Sequence, residues 1–154
     1  RAAIITFLWR LDGATLNYAN YWNPFSDVDG TNQFYPAIMW GYHTGIIGGF
    51  EQADGTLEFR PWDNCNRAAI VTFLYRYAKN CNNHQDVITD EIYTLYGTKF
   101  KDMTNNSEFN RAIAWAVWEG ITTGWDDGTF RPWNTCNRAA AMSFLYRYAT
   151  MPAG

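Results

Sequence analysis

Few residues in this chain are equipped for covalent chemistry, and their spacing does not assemble them. His43 and His84 stand alone in unrelated contexts, with no serine, cysteine or acid recurring beside them, so no nucleophile–base pair is supported. Asp126-Asp127-Gly128 brings two carboxylates together, but its spacing fits no EF-hand loop and reads as a turn. Cys65, Cys81 and Cys136 form no CxxC pair and no Cys/His cluster of the kind that holds zinc. Cys65 and Cys81 flank a helix of roughly 13 residues, ~20 Å long at ~1.5 Å per residue, which is too far to bridge. A Cys81–Cys136 bridge remains open, the other reading being small buried thiols. Asn105-Asn106-Ser107 matches a glycosylation sequon. The residues point to a protein that is not an enzyme and uses no metal or cofactor.

What the chain holds in excess is rings. Aromatics make up 18% of its 154 residues, with eight Trp, ten Tyr and ten Phe. That is more than a small core needs and points to exposed rings that bind something. Net charge is −3 without a Lys/Arg run, which argues against nucleic acid as a partner. No stretch approaches the ~18–20 apolar residues of a membrane span, and no signal peptide is visible.

The elements that position these rings come from repetition. FRPWNTCNRAAAMSFLYRYA, 130–149, nearly repeats FRPWDNCNRAAIVTFLYRYA, 59–78, and the second half of the same block opens the chain as RAAIITFLWR. The opening reads as a piece of a block, so a longer parent is expected. Phe25-Ser-Asp-Val28 has its counterpart in Phe100-Lys-Asp-Met103, each followed by an amphipathic stretch. In the later copy Phe109, Ile113, Ala116 and Val117 share a face. Asn106 or Ser107 is a helix cap there, and Pro36 fits only a first turn in the earlier copy. Gly45 and Gly120 sit where a left-handed C-terminal residue is wanted. A loop with an Asp-Gly turn leads to FRPW, four residues longer in the first copy. Asn66 or Asn137 then caps a second helix, with Ala68, Val71, Leu74 and Tyr75, or Ala139, Met142, Leu145 and Tyr146, at helical spacing. Arg10, Arg76 and Arg147 lie near helix C-termini, where a cation suits the dipole. A further short helix is expected between Asp86 and Tyr96. Tyr21 and Trp22 in the linker have no repeat partner. Each repeat is helix, loop, helix, which cannot bury its own apolar face and must pack on other copies.

The order FxD, AIxW…GI..G, DGTFRP, xRAxxxxFLYR resembles the S-layer homology repeat of bacterial surface proteins. The resemblance covers a C-terminal half repeat at 1–12, a full repeat at 25–79 and another at 100–149, with linkers at 13–24 and 80–99 and a tail at 150–154. It implies an all-α, pseudo-threefold unit with a central three-helix bundle and three prongs. It also implies non-covalent anchoring at the bacterial cell surface to cell-wall polysaccharide, often a pyruvylated secondary polymer, through grooves between repeats. The competing reading is a structural module whose partners are other subunits of a surface layer or filament.

The family's key cation falls on Arg67 and Arg138, and on Arg1. A guanidinium at a helix N-terminus, beside free N–H groups and the positive dipole end, suits the carboxylate of an acidic sugar. The alternative role is an ion pair with an Asp of the next repeat, Asp27 or Asp102. Trp62 and Trp133 after Arg-Pro, and Phe50 and Trp125 after Gly49 and Gly124, are candidates to stack on a sugar ring or to cover the core. Gly49 and Gly124 point to positive φ or a close backbone approach. The chain departs from the family motif at Asn66 and Asn137, one cap exchanged for another. It also departs at Ala69 and Ala140, where the family carboxylate is missing, so the polymer bound need not be of the pyruvylated type.

Overall fold

A computed structural model describes residues 1–81 and 88–151. The chain divides into two compact units, Arg1–Asn64 and Cys65–Gly154. The boundary falls inside a sequence repeat, so a unit combines the second helix of one repeat with the first helix and loop of the next.

In the first unit, helix α1 (Ala2–Asp12) packs on α2 (Tyr35–His43). Ala2, Ile5 and Leu8 form the buried stripe of α1, each full burial of a Leu or Ile side chain being worth about 1.5–3 kcal/mol. They meet the buried run Ala37–Gly41. A Cβ at Gly41 would lie 2.9 Å from an Ile5 methyl, so glycine is what lets the helices close. Pro36 occupies the first turn of α2, as its missing N–H requires. A single 3-10 turn, Tyr18–Asn20, fills the linker. There Tyr21 and Trp22 find partners in the rings of His43 (5.0 Å) and Tyr42 (6.3 Å). The His43 Nε2 sits 2.8 Å from the Trp22 carbonyl, which gives this histidine a structural place.

The long loop of this unit forms a two-stranded antiparallel hairpin, β1 (Phe50–Glu51) and β2 (Leu57–Glu58), closed through Gly55 at φ 81. Among the described residues the chain is therefore mainly helical with one minimal sheet rather than purely helical. Four extra loop residues give the hairpin enough backbone for two ladder pairs.

In the second unit, α3 (Arg67–Cys81) is the central element, with α5 (Ser107–Trp118) and α6 (Arg138–Ala149) against it and α4 (Asp90–Tyr96) against α5. Eleven of its fifteen residues are buried, as expected of a helix covered on several sides. Tyr75, Trp115 and Tyr148 join across α3, α5 and α6 with ring separations of 5.7 and 6.0 Å. Asn66, Asn106 and Asn137 accept the expected capping hydrogen bonds at 2.8–3.0 Å. Gly45 and Gly120 take φ 76 and 72. None of the three cysteines is in a disulfide, so the Cys81–Cys136 bridge is not formed. Arg76 lies inside the longer α3 and binds Glu108 through two bonds of 2.7 and 2.8 Å. Arg147 donates to the Ile121 carbonyl at 3.0 Å.

The stripe expected on α6 is corrected. Ala141, Phe144, Leu145 and Tyr148 are buried, while Ala139 is exposed, Met142 is 46% exposed and Tyr146 68%. The exposed positions match Ala68, Val71 and Tyr75 of α3, all buried. In α3 that face is covered by α5 and by the loop at 130–134, and in α6 no described residue covers it. The expected helix at 86–96 is seen from Asp90. Residues 82–87, among them His84 and Asp86, lie outside the described residues, as do 152–154.

Candidate functional site

Two loop sites of one design occur, one inside each unit, and each starts from an aspartate. In the second unit Asp102 accepts two consecutive backbone N–H groups, from Phe130 to Oδ1 at 2.8 Å and from Arg131 to Oδ2 at 2.7 Å. The clamp holds Arg131 at φ 59, a left-handed conformation rare outside glycine. From that backbone the Arg131 guanidinium lies 4.1 Å above the Trp125 ring and reaches Asp127 at 3.0 Å. The first unit repeats the design. Asp27 accepts from Phe59 at 2.8 Å and Arg60 at 2.7 Å, Arg60 takes φ 58, and its guanidinium lies 4.7 Å over Phe50 and pairs with Glu58.

Both carboxylates are thus spent on the backbone. Arg67 makes no ion pair with Asp102. Gly49 and Gly124, at φ 82 and 77, lie against the rings of Phe25 and Phe100, where a Cβ would collide.

The helix-start arginine then docks on this loop. Arg67 donates Nε–H to the Phe130 carbonyl at 2.9 Å, and its guanidinium carbon lies 4.8 Å from the Phe130 ring, 5.1 Å from Phe144 and 5.8 Å from Trp125. Arg1 is placed alike, with Nε–H to the Phe59 carbonyl at 3.0 Å and ring distances of 4.5 Å to Phe50 and 5.2 Å to Phe59.

Arg67 is only 8% exposed. Burial pushes its pKa below the ordinary value and the Arg131 charge adds to this, while the Cys136 thiol and Asp102 oppose it. Its two terminal nitrogens have no acceptor among the described residues, yet neither is sealed from solvent. A charge held in that state is costly unless an anion meets it.

The backbone amides expected to help are already engaged. Arg67 N–H donates to the Asn134 carbonyl at 3.0 Å and Ala68 N–H to that of Pro132 at 3.0 Å, as Ala2 N–H does to Pro61 at 3.1 Å. The donors left at α3 are therefore those of the side chain. No acidic residue stands in the first turn of α1, α3 or α6, the consequence of Ala69 and Ala140.

The structure brings together Arg67, Trp125, Gly124 and Asp102 in one unit, and Arg1, Phe50, Gly49 and Asp27 in the other. Arg138 stays exposed at the start of α6, its guanidinium meeting no loop among the described residues. Trp62 and Trp133 stand elsewhere on the loops, 71% and 60% exposed, so they do not cover the core. Sequence reasoning missed Arg60, Arg131 and Phe144. The first two carried a signal, since both loop copies keep FR at the end and FxD before the first helix.

The profile of the S-layer homology domain matches residues 24–70 and 99–142, more than half of the chain and including both Asp-clamped loops. The chain belongs to the S-layer homology family. It is similar to Cell surface glycoprotein 1 of Acetivibrio thermocellus, at 26% identity over 150 residues. The match covers 96% of this chain and 6% of that relative, so the chain spans a small part of the protein it resembles. No solved structure gives a significant match. No helix among the described residues is long and apolar enough to cross a membrane.

Proposed function

We propose that this chain is a non-catalytic anchoring module at the bacterial cell surface, which binds an acidic cell-wall polysaccharide through its loop-docked arginines. The carrying observation is Arg67, a guanidinium set among three rings with both terminal nitrogens unmatched by any carboxylate among the described residues. A carboxylate arriving there gains two parallel charge-assisted bonds. Trp125 offers a half-exposed ring beside it for the C–H face of the same sugar. Arg1 with Phe50 forms the equivalent contact in the first unit. Asp27, Asp102, Gly49 and Gly124 act on the ligand through the loop they shape. With Ala69 and Ala140 in place of an acid, the site is more cationic than the family motif, which favours an anionic group without specifying pyruvate.

The finer architecture belongs to the same proposal. The uncovered face of α6, carrying Arg138, Met142 and Tyr146, is the face that in α3 receives an FRPW loop and a first-type helix. An FRPW half repeat seated there, completing the half repeat at 1–12, would give Arg138 its loop and close a pseudo-threefold unit from the repeats at 1–12, 25–79 and 100–149. The same face favours the second reading, a contact with another surface-protein subunit.

Purified walls, intact and stripped of secondary polymer, separate the readings by co-sedimentation. Binding should vanish on stripping, and Arg67→Gln should weaken it at least about tenfold, the loss of one charge-assisted contact. Binding that survives stripping, or an Arg67→Gln protein that folds and binds as before, would overturn the proposal.

A further inference from the structure

Trp62 and Trp133 are the large rings the arginine sites do not use. An indole left on the surface forfeits the ~25 cal/mol per Å² that burial would give, and here it does so twice at the same register. Neither ring is loose. Trp62 meets the edge of Phe34 at 5.6 Å and 64°, and Trp133 meets Phe109 at 5.6 Å and 65°. Phe34 and Phe109 stand at the starts of α2 and α5, so each unit builds the same indole platform between its FRPW loop and its first-type helix.

In the first unit the platform walls a concavity of about 390 Å³. Its other lining residues are Asp27, Asp29, Thr31, Asn32 and Gln33, with neither Arg1 nor Phe50 among them. Asp27 is occupied by the loop backbone. Asp29 uses Oδ1 to accept from the Thr31 N–H at 2.8 Å and from the Thr31 hydroxyl, and no side chain among the described residues donates to its Oδ2. Those bonds hold Asp29 ionised to lower pH than an ordinary carboxylate. Asn32 accepts from Phe34 N–H at 2.9 Å, which leaves its amide N–H groups to donate, and the Gln33 amide has no partner among the described residues. The concavity therefore offers a flat apolar ring, one open carboxylate acceptor and amide donors, and no cation.

We infer that Trp62 with Asp29, Asn32 and Gln33 is a binding subsite for an uncharged, hydroxyl-bearing sugar residue. The pyranose C–H face stacks on the indole, and two of its hydroxyls hydrogen-bond to Asp29 and to the amides. A carboxylate facing an unmatched ligand charge repels acidic sugars, so this subsite selects the opposite class from the arginine site. It stands independently of the arginine proposal, since it shares no side chain with Arg67 or Trp125. The second unit has the platform but not the rim. Thr104 takes the place of Asp29, and Glu108, in the place of Gln33, is bound to Arg76. Trp62 is thus the stronger subsite.

The test uses the intact chain and the indole N–H resonances of its tryptophans. Maltotriose, cellotriose and tri-N-acetylchitotriose are titrated separately, with glucuronic acid as the acidic comparison. The Trp62 indole should shift with at least one neutral trisaccharide and not with glucuronic acid, and Trp133 should shift less. Trp62→Ala, at an exposed position that leaves the fold intact, should weaken that affinity at least about tenfold, and Asp29→Asn severalfold. Arg67→Gln should leave it unchanged, so this inference and the arginine site can fail separately. Absence of a Trp62 shift with all three neutral sugars, or an equal shift with glucuronic acid, overturns the subsite. Equal shifts at Trp62 and Trp133 overturn the role of Asp29.

Discussion

Replacing Asp102 by alanine removes two hydrogen bonds from one loop, and their geometry sets the expected cost. The bond from Phe130 is 2.8 Å long and lies beside a fully buried ring, where water cannot replace the lost acceptor. A bond to a charged group in that setting is worth about 1.5–3 kcal/mol. The 2.7 Å bond from Arg131 is half-exposed and water recovers part of it, so about 1 kcal/mol is lost there. Release of the left-handed Arg131, a strain of about 1 kcal/mol, offsets some of the sum. A net loss of about 1.5–3 kcal/mol follows. In a domain of about 60–100 residues that lowers Tm by roughly 6–24 °C.

Urea unfolding reads the loss as a lower midpoint at unchanged slope, because the surface exposed on unfolding is the same. Amide exchange supplies the local reading, since protection at Phe130 and Arg131 should disappear first. Asp102→Asn should fall between, keeping one acceptor while turning an amide N–H towards the other donor. Asp27→Ala should repeat the result in the first unit. Wall binding should weaken with stability, because the loop carries the carbonyl on which Arg67 is seated. An Asp102→Ala protein that loses less than about 1 kcal/mol and keeps Phe130 protected would refute the clamp.

Gly124→Ala should cost about 2–4 kcal/mol, since the new Cβ meets the Phe100 ring and lies 3.0 Å from the Thr129 carbonyl at φ +77. Gly120→Ala, at φ +72 in open space, should cost about 1 kcal/mol, and paired thermal melts of the two variants check the difference. Asp127 is held at a pKa of about 2 by the Thr129 hydroxyl first and Arg131 second. A depressed carboxylate stabilises above its ordinary pKa and loses that contribution as pH falls through the folded value, here between about 4 and 2. A carbon-detected titration of its carboxyl should show the low midpoint, and Arg131→Ala should raise it only part of the way.

The helices, their caps and the left-handed glycines were legible because each depends on neighbours in sequence. Asn66, Asn106 and Asn137 need only the amides two or three residues on, and Gly45 and Gly120 only their own φ. The family was legible too, since its motif order is linear. The roles of the charged residues were not. Asp27 and Asp102 read equally well as ion-pair partners or ligand contacts until the loops were seen to fold back 32 and 28 residues later onto their oxygens. Arg60 and Arg131 gave no sign of positive φ, which side chains other than glycine adopt only when the surroundings hold them there. The α6 stripe misled because periodicity reports which faces are apolar, not which of them is covered.

That last difference bears on how the sites arise. An arginine at the start of a second-type helix is exposed when it stands alone, as Arg138 does. It becomes a buried, oriented guanidinium only when the loop of the following repeat supplies a carbonyl for Nε and rings for its faces, as Phe130 and Trp125 do for Arg67. The guanidinium and the surface that shapes it therefore come from different repeats. One repeat by itself carries both sequence motifs but no finished site. Under the proposed function, the number of arginine sites would follow the number of helix–loop junctions rather than the number of motif copies. In this chain the described junctions are two, at Arg1 and Arg67, and Arg138 adds a third only where another FRPW loop meets it.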